Sequence, residues 1–453
     1  MSLAPAPLHK VVIVGGGFGG LLAAQGLRKA PCEVTLIDRR NFHLFQPLLY
    51  QVATGGLSPA NIASPLRSIL RKQKNTRVLL GEVESFDVDD QALFLRDGSC
   101  VTWDTLIVAT GATHTYFGHD EWASFAPGLK TIEDATEIRR RVLSAFERAE
   151  CEPDPKVRAR LLNFVVVGGG PTGVEMAGSI SELARHTMRY DFRRINPREA
   201  RIVLVEGQTR VLSMFHESLS AKAKTALEKM GVEVKLDCHV TSVGPDHVLI
   251  QPDTQGAEPL RLDTETIVWA AGVKASVLGK KLAEACGGAA TDRAGRVVVN
   301  RDCTVGNRKD VFVVGDLASF QDASGKPLPG QAPVAMQQGE YVAKLIAARL
   351  KGDASEPQPF KYWDKGSMAT IGRAKAVAEA GGLKMSGLIA WLAWLFIHIL
   401  YLARFENRVL VLFQWVFNYL TRGRAARLIT GEQATHPEDP NRAIPPGESV
   451  VKS

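Results

Sequence analysis

The stretch KVVIVGGGFGGLLAAQGLRKAPCEVTLID at residues 10–38 determines the fold class of this chain. A β-branched run leads into a glycine-rich turn, an apolar helical pattern follows, and a second β-branched run ends at Asp38. Gly15, Gly17 and Gly20 form a G-x-G-x-x-G pattern, and Asp38 lies 23 positions after the first of them. This arrangement predicts a β-α-β unit that holds a dinucleotide pyrophosphate at the helix N-terminus, with the acid accepting a ribose hydroxyl.

The same pattern occurs a second time. The run FVVV at 164–167 precedes a G-x-G-x-x-G turn at 168–173, and the next strand ends at Glu206, 38 positions after the first glycine. We assign the extra length to the basic stretch HTMRYDFRRINPREA at 186–200, which is predicted to extend the helix and add a loop. Two complete units predict two bound dinucleotides.

Three later runs have the composition of buried strands: TLIVATGA at 105–112, TIVWAAGV at 266–273 and DVFVVGD at 310–316. Such strands return a Rossmann-like chain toward its dinucleotide. Their order predicts an α/β fold of two Rossmann-like dinucleotide-binding domains, the second inserted in the first. The predicted boundaries are 1–159 and 286–355 for the first domain, 160–285 for the second, 356–430 for a C-terminal module and 431–453 for a loosely ordered tail.

Composition excludes several classes of protein. With 453 residues, 45% hydrophobic and 23% charged, the chain supports two or three globular cores and is not disordered. Its six cysteines are scattered without C-x-x-C or zinc-like spacing, so we expect no metal site and a reducing compartment. The basic residues are accompanied by neither a zinc-binding pattern nor interleaved stacking aromatics. The sequence therefore does not indicate nucleic acid binding.

The C-terminal module combines basic charge with apolar runs. Residues 361–430 hold ten Lys or Arg and three Asp or Glu, so they account for the whole net charge of +7. Residues 385–403 contain no charged side chain over 19 positions. The pattern favours a helical membrane-binding module lying in one leaflet, with a transmembrane helix at 385–403 and a core or dimer interface as alternatives. Because every predicted dinucleotide-binding residue precedes Gly382, we expect the redox site to be complete without the module.

Several segments together resemble the type II NADH:quinone oxidoreductases, within the two-dinucleotide flavoprotein reductases. They are NFHLFQPLLYQVATG at 41–55, TYFG at 115–118, GGGPTGVE at 168–175 and APVAMQQG at 332–339. The resemblance implies FAD on the first domain and NADH on the second. It also implies hydride transfer from NADH to the flavin and two-electron reduction of a membrane quinone (ubiquinone or menaquinone) in a respiratory chain, without proton pumping. We predict non-covalent FAD, because no histidine or cysteine lies in a recognised attachment context.

The resemblance also assigns site residues by matching motif positions. For FAD these are Gly15, Gly17, Phe18, Gly20, Asp38, Gly111 and Asp316; for NADH they are Gly168, Gly170, Thr172, Gly173, Glu206 and Gly272. The predicted catalytic residues are Glu175, near the nicotinamide, and Gln337, the last glutamine of an A-Q-x-A-x-Q quinone motif. Pro333 replaces that motif's first glutamine. Glu206 predicts NADH over NADPH, because its carboxylate would repel a 2′-phosphate.

The predicted partners are NADH, a membrane quinone, a bilayer surface and a possible homodimer, without nucleic acid. The predicted location is the cytoplasmic face of the inner membrane. The alternatives are another NAD(P)H-dependent flavoprotein reductase, such as a sulfide:quinone oxidoreductase, or a non-enzymatic flavin redox sensor. A sulfide enzyme would need cysteines flanking the flavin.

Overall fold

A computed structural model describes residues 7–431 of the chain. The predicted tail at 431–453 lies outside the described residues, apart from its first residue. The α-helices are α1 (Phe18–Gly26), α2 (Leu49–Ala53), α3 (Pro59–Ile62), α4 (Leu66–Leu70), α5 (Ile132–Cys151), α6 (Pro155–Leu161), α7 (Pro171–Glu182), α8 (Glu217–Lys229), α9 (Val277–Ala285), α10 (Ala332–Arg349), α11 (Leu388–Tyr401) and α12 (Phe405–Thr421).

The strands up to residue 114 are β1 (His9–Val14), β2 (Cys32–Asp38), β3 (Phe42–Leu44), β4 (Ala63–Pro65), β5 (Thr76–Leu80), β6 (Val83–Asp87), β7 (Ala92–Leu95), β8 (Cys100–Thr102), β9 (Thr105–Val108) and β10 (Ala112–His114). Those from 163 to 275 are β11 (Asn163–Val167), β12 (Arg201–Val205), β13 (Val232–Lys235), β14 (Cys238–Val243), β15 (His247–Pro252), β16 (Leu260–Asp263), β17 (Thr266–Trp269) and β18 (Val273–Ala275). The remainder are β19 (Val297–Val298), β20 (Thr304–Val305), β21 (Arg308–Val313), β22 (Ala318–Ser319), β23 (Ser367–Gly372), β24 (Lys375–Ala380) and β25 (Leu383–Ser386).

Two parallel sheets carry the predicted dinucleotide units. The first has the spatial order β20-β21-β9-β1-β2-β5, and the second has the order β13-β12-β11-β17. Strand β1 pairs in parallel with β2 and β9, and β11 does the same with β12 and β17. Since β21 follows the entire second sheet in sequence yet pairs with β9 of the first, the second unit is inserted in the first. The predicted fold class is confirmed.

The return of the chain to the first domain lies earlier than predicted. Strand β18 pairs with β10 of the first part of the chain. Helix α9 contributes Leu282 to the same hydrophobic cluster as Val83 and Leu93. We therefore propose a domain boundary near residue 273 in place of 285; the other boundaries stay predictions.

The basic stretch after α7 has the predicted form. A π-helical turn at Leu183–Thr187 extends the helix, and a loop leads to a short 3-10 helix at Pro197–Glu199 before β12 begins. The long interval between the second glycine turn and Glu206 is thereby accounted for.

The C-terminal module begins with a sheet that the sequence did not predict, and its two helices follow. Strands β23, β24 and β25 form an antiparallel sheet. Strand β24 has the sequence KAVAEA, whose Ala, Lys and Glu favour a helix. Pairing with both neighbours and burial of its central residues override that preference.

Helix α11 is shorter than the apolar run that predicted it. Met385 and Ser386 belong to β25, and Gly387, with φ of 74°, separates that strand from the helix. The remaining helix has 14 residues, whereas a bilayer span needs about 20. The spanning alternative at 385–403 is therefore wrong. Within residues 7–431, none of the helices is both long enough and apolar enough to cross a membrane.

Helices α11 and α12 have one buried face and one exposed face. Trp394 and Trp415 are buried in the same hydrophobic cluster as Tyr50 and Phe164, which belong to the two Rossmann-like units. Removal of the chain after Gly382 would uncover this cluster. The expectation that the redox site is complete without the module stays a prediction, and this shared cluster argues against it.

Candidate functional site

The first glycine turn has the geometry that a pyrophosphate requires. Gly15 has φ of 104°, a conformation that favours glycine, and a Cβ there would lie 2.5 Å from the Ala109 oxygen. A Cβ on Gly20 would lie 1.9 Å from the Gly15 oxygen, so helix α1 packs against β1 only with glycine. Gly17, at the N-cap of α1, has nothing within 4 Å of its Cβ position. The turn therefore leaves open space in front of the helix N-terminus.

Asp38 ends β2 beside this turn. Its carboxylate accepts hydrogen bonds from the backbone N–H of Gly16 at 2.6 Å and of Arg40 at 2.7 Å. Burial raises the pKa of Asp38, and these two hydrogen bonds oppose the rise. The carboxylate is thus fixed in position, with lone pairs left to accept a ribose hydroxyl.

The second turn repeats the first almost residue for residue. Gly168 has φ of 105°, and a Cβ on Gly173 would lie 1.8 Å from the Gly168 oxygen. The N-cap Gly170 has φ of −71°, the same value as Gly17, and is equally open. Both turns therefore have the same built-in space for a phosphate.

Glu206 takes the place of Asp38 in the second unit. Its carboxylate accepts hydrogen bonds from the N–H groups of Gly169 and, at 2.8 Å, of Gln208. The nearby Arg210 donates to the carbonyl oxygens of Phe215 and Ser213, at 3.1 and 2.9 Å. The Arg210 guanidinium is thereby bound to backbone carbonyl groups. A site for NADPH would instead use such a guanidinium to bind the 2′-phosphate.

One continuous cavity of about 830 Å³ connects the two units with the C-terminal module. Among the predicted site residues, its walls include Gly15, Gly17, Phe18, Asp38, Gly111, Asp316, Thr172 and Glu175. Those outside its walls are Gly20, Gly168, Gly170, Gly173, Glu206, Gly272 and Gln337. Gly20 and Gly173 act in helix packing, and Gly272 (φ of 71°) lies against Phe117. The structure thus brings the first glycine turn, the start of α7 and the C-terminal module to one space.

Glu175 lies on this cavity wall in the first helical turns of α7. Burial raises the pKa of its carboxyl group well above the ordinary value, although the backbone N–H of Thr370 donates to it. The carboxyl group therefore keeps its proton to higher pH than an ordinary glutamate and holds it beside the cavity.

Gln337 differs from its predicted role. Its amide nitrogen donates to the Trp363 carbonyl oxygen, and its amide oxygen accepts from the Trp363 N–H, both at 2.9 Å. Both polar ends are thus used to hold backbone, and the side chain is absent from the cavity wall. Pro333, which does line the cavity, has no N–H to donate. The prediction of Gln337 as a quinone ligand is not supported.

Polar residues that sequence reasoning did not assign line the part of the cavity formed by the C-terminal module. His398 Nδ1 donates to the Trp394 oxygen at 2.6 Å, which leaves Nε2 as an acceptor, and burial lowers its pKa to about 4. The Lys365 ammonium donates to the Tyr401 hydroxyl oxygen at 2.9 Å, which leaves the phenolic proton free to donate. His398 is the one histidine of the run 385–403, but the sequence does not show its orientation.

Tyr50 joins this wall to α12. Its hydroxyl oxygen accepts from the Gln51 amide at 2.9 Å, and Trp415 Nε1 donates to the Gln51 oxygen at 2.7 Å. Burial, and then the charge of Glu175, raise the pKa of Tyr50. Tyr50 is therefore a neutral donor near Glu175.

Comparisons with known proteins agree with this geometry. Residues 9–339 match the family model of pyridine nucleotide-disulphide oxidoreductases, and residues 364–425 match that of the NDH2 C-terminal domain. The chain is 49% identical to type II NADH:quinone oxidoreductase NdhA of Mycobacterium tuberculosis, over 94% of this chain and 90% of that protein. It is 30% identical to a type II NADH:quinone oxidoreductase of Staphylococcus aureus, over 83% and 91%.

Solved structures share the fold at lower identity. NDH2 from Plasmodium falciparum in complex with NADH has a TM-score of 0.83 and 20% identity, over 90% of this chain and 98% of that chain. The sulfide:quinone oxidoreductase from Aquifex aeolicus has a TM-score of 0.68 and 17% identity, over 88% and 91%. At these identities the likeness concerns the fold alone.

Proposed function

The chain belongs to the type II NADH:quinone oxidoreductases, and from that membership we propose how its residues carry out FAD-dependent oxidation of NADH with reduction of a quinone. The observation that carries the proposal is the cavity that joins the first glycine turn, the start of α7 and the C-terminal module. FAD, when bound, supplies the two-electron acceptor that links NADH oxidation to quinone reduction.

The first unit fits FAD. Gly17 and the N-terminus of α1 leave open space for a pyrophosphate, and Asp38 presents a fixed carboxylate to a ribose. Gly111 and Asp316 line the same cavity farther along. We expect the flavin to be released by acid precipitation, because it is held without a covalent bond.

None of the six cysteines lines the cavity. A sulfide:quinone oxidoreductase needs cysteine sulfur beside the flavin, so this observation favours NADH as the electron donor. Purified holoprotein should consume NADH and a short-chain quinone in equal amounts. Consumption of NADH without reduction of quinone would support the redox-sensor alternative instead.

Replacement of Glu206 should change the preferred nicotinamide. Glu206→Arg removes an acceptor of ribose hydroxyls and replaces repulsion of a 2′-phosphate with attraction. A charge-assisted hydrogen bond contributes about 1.5–3 kcal/mol, so the NADH/NADPH ratio of kcat/KM should fall about tenfold to a hundredfold. Glu228→Arg, on the exposed side of α8, is the matched control and should leave the ratio unchanged. An unchanged NADH/NADPH ratio of kcat/KM in Glu206→Arg would show that Glu206 does not bind the ribose.

Glu175 is proposed to supply a proton for quinone reduction. Because burial raises its pKa, the carboxyl group keeps its proton above the ordinary titration range of a glutamate and loses it as pH rises through the raised pKa. Quinone turnover by the wild type should therefore fall at alkaline pH, and Glu175→Gln should be slower at neutral pH and lack this alkaline limb. Flavin reduction by NADH, measured alone, should stay within about threefold of the wild type. If Glu175→Gln retained both the wild-type rate and the alkaline limb, the proton would come from another group.

We propose that Tyr401 and His398 face the quinone head group in place of the motif glutamines. The Tyr401 hydroxyl donates to a quinone oxygen, and His398 Nε2 accepts from a quinol hydroxyl. The free hydrogen-bonding capacity of both groups at the cavity wall supports this assignment.

The bilayer surface is the proposed partner of α11 and α12. Large apolar side chains are exposed along both helices: Leu388, Ile389, Leu392, Phe396, Leu400, Phe405, Leu410, Phe413, Val416, Phe417 and Leu420. An exposed apolar face of this extent favours contact with lipid acyl chains, in which a quinone is dissolved. The excess of basic residues favours the negatively charged cytoplasmic leaflet. A homodimer that persists in detergent and buries this apolar face would instead assign the face to a dimer interface.

A further inference from the structure

The loop at residues 188–198, here called the arginine loop, joins the π-helical turn after α7 to the short 3-10 helix before β12. Its sequence is MRYDFRRINPR, with four arginines and one acid. Arg189, Arg194 and Arg198 are exposed, and Tyr190 is 72% exposed with the Arg189 guanidinium over its ring. The loop belongs to the second Rossmann-like domain, outside the C-terminal module.

These three arginines form no ion pair with a carboxylate within residues 7–431, although the Glu150 carboxylate lies near Arg194. The loop's one acid, Asp191, is paired with Arg427. The Glu150 carboxylate accepts from the backbone N–H groups of the loop, which fixes its main chain and leaves these guanidinium groups in solvent. The loop therefore presents an excess of positive charge on a fixed main chain.

The arginine loop and the π-helical turn before it are attached to the end of α12. Arg422, the C-cap of that helix, donates to His186 Nδ1 at 3.1 Å, and its carbonyl oxygen accepts from the Thr187 hydroxyl at 3.1 Å. The Arg427–Asp191 pair forms a second attachment. The apolar side chains of Leu420 and Leu428, on either side of these attachments, are 73% and 62% exposed. The positive loop thus continues the apolar surface of the C-terminal module.

The loop is remote from the nicotinamide unit of its own domain. The second glycine turn lies at the N-terminus of α7, whereas the loop follows the opposite end of the helix and its π-helical extension. At about 1.5 Å per residue, this separation is roughly 25 Å. The positive charge is therefore not part of the NADH site.

We propose that the arginine loop binds the anionic headgroups of the bilayer on which α11 and α12 lie, so that the second Rossmann-like domain is itself a membrane-contacting element. The inference rests on the proposed membrane association. An arginine beside an aromatic ring is suited to the headgroup region of a bilayer. The arginine's aliphatic stem and the aromatic ring bury apolar surface, while the guanidinium binds a lipid phosphate. The loop would fix the tilt of the enzyme on the membrane.

The test compares vesicle binding by full-length holoprotein variants. Flotation with phosphatidylcholine vesicles measures the apolar contribution, and vesicles that also contain phosphatidylglycerol measure the added electrostatic one. Each arginine at an anionic surface strengthens binding about fivefold. The triple variant Arg189→Gln/Arg194→Gln/Arg198→Gln should therefore bind anionic vesicles about a hundredfold more weakly and bind neutral vesicles as the wild type does.

A matched control removes three exposed basic residues without ion pairs from the first domain: Arg28→Gln/Arg293→Gln/Lys309→Gln. It should lose less than about threefold on anionic vesicles. Replacement of the loop arginines with lysine should retain most of the binding. Equal losses in the two triple variants would overturn the proposal, because they would show a net-charge effect only. Failure of the wild type to bind either kind of vesicle would instead overturn the proposed membrane association, on which the loop proposal rests.

A measurement on the unaltered protein covers the case in which the loop variant misfolds. Trypsin cleaves after exposed arginines, so anionic vesicles should slow cleavage after Arg189, Arg194 and Arg198 at least about tenfold while leaving cleavage after Arg293 unchanged. Unchanged cleavage of the loop on bound vesicles would contradict the proposal. Protection by an acidic polypeptide but not by vesicles would likewise contradict it and assign the loop to a protein partner.

Discussion

Gly17→Ala should leave the chain folded and deprive it of its flavin. Gly17 has φ of −71°, which alanine adopts without strain, and its Cβ position has nothing within 4 Å. The added methyl group therefore meets no protein atom and instead occupies the space in which a pyrophosphate approaches the N-terminus of α1. Loss of one charge-assisted hydrogen bond weakens FAD binding about tenfold to a hundredfold, and the steric conflict adds to this loss.

Gly170→Ala is the matched control, because Gly170 has the same φ and the same open Cβ position in the second unit. It should keep a full complement of flavin and lose NADH affinity by a similar factor. Flavin content after gel filtration and NADH titration of the holoprotein measure the two effects. Flavin loss from Gly170→Ala with retention in Gly17→Ala would reverse the assignment of the two sites.

Arg424→Met should destabilise the folded protein by about 3 kcal/mol. Arg424 lies at the junction between the C-terminal module and α7, where its guanidinium pairs with Glu182 at 3.2 Å and donates to the Thr54 oxygen at 3.1 Å. The two side chains are only 12% and 23% exposed. Removal of the cation leaves the largely buried Glu182 carboxylate without a charged partner, although the Arg373 N–H still donates to it, and this is the costly way to break such a pair.

The double variant Arg424→Met/Glu182→Gln should recover most of the lost stability, since no charge is then left buried. The exposed pair Lys224–Glu228 supplies the control, and Lys224→Met should change stability by less than about 0.5 kcal/mol. Urea unfolding of each holoprotein, followed by tryptophan fluorescence, measures these differences. A double variant no more stable than Arg424→Met would show that packing, not charge, is lost at this junction.

The dinucleotide units were predictable from sequence because local chemistry fixes them. Only glycine tolerates φ of 104° at Gly15 and the close contact at Gly20. A dinucleotide unit also places an acid at the end of its second strand, so Asp38 could be located by its spacing from the glycines. The inserted arrangement of the sheets followed from the order of the buried strands.

The C-terminal module could not be predicted to the same depth. Its strand β24 has helix-favouring residues, and the pairing that makes it a strand is a tertiary contact. Likewise, a motif shows that Gln337 is present but not that Trp363 takes up its amide. The buried face of the helix within 385–403 could not be predicted, because both faces are apolar and the sequence shows no hydrophobic periodicity.

The measurement that most directly tests the central claim is anaerobic mixing of the purified holoprotein with NADH and then with quinone. One equivalent of NADH should bleach the flavin absorbance, and a subsequent equivalent of quinone should restore it, with NADPH far slower in the first step. Bleaching by NADH that quinone does not reverse, or bleaching by sulfide and not by NADH, would contradict the assignment of this chain as an NADH:quinone oxidoreductase.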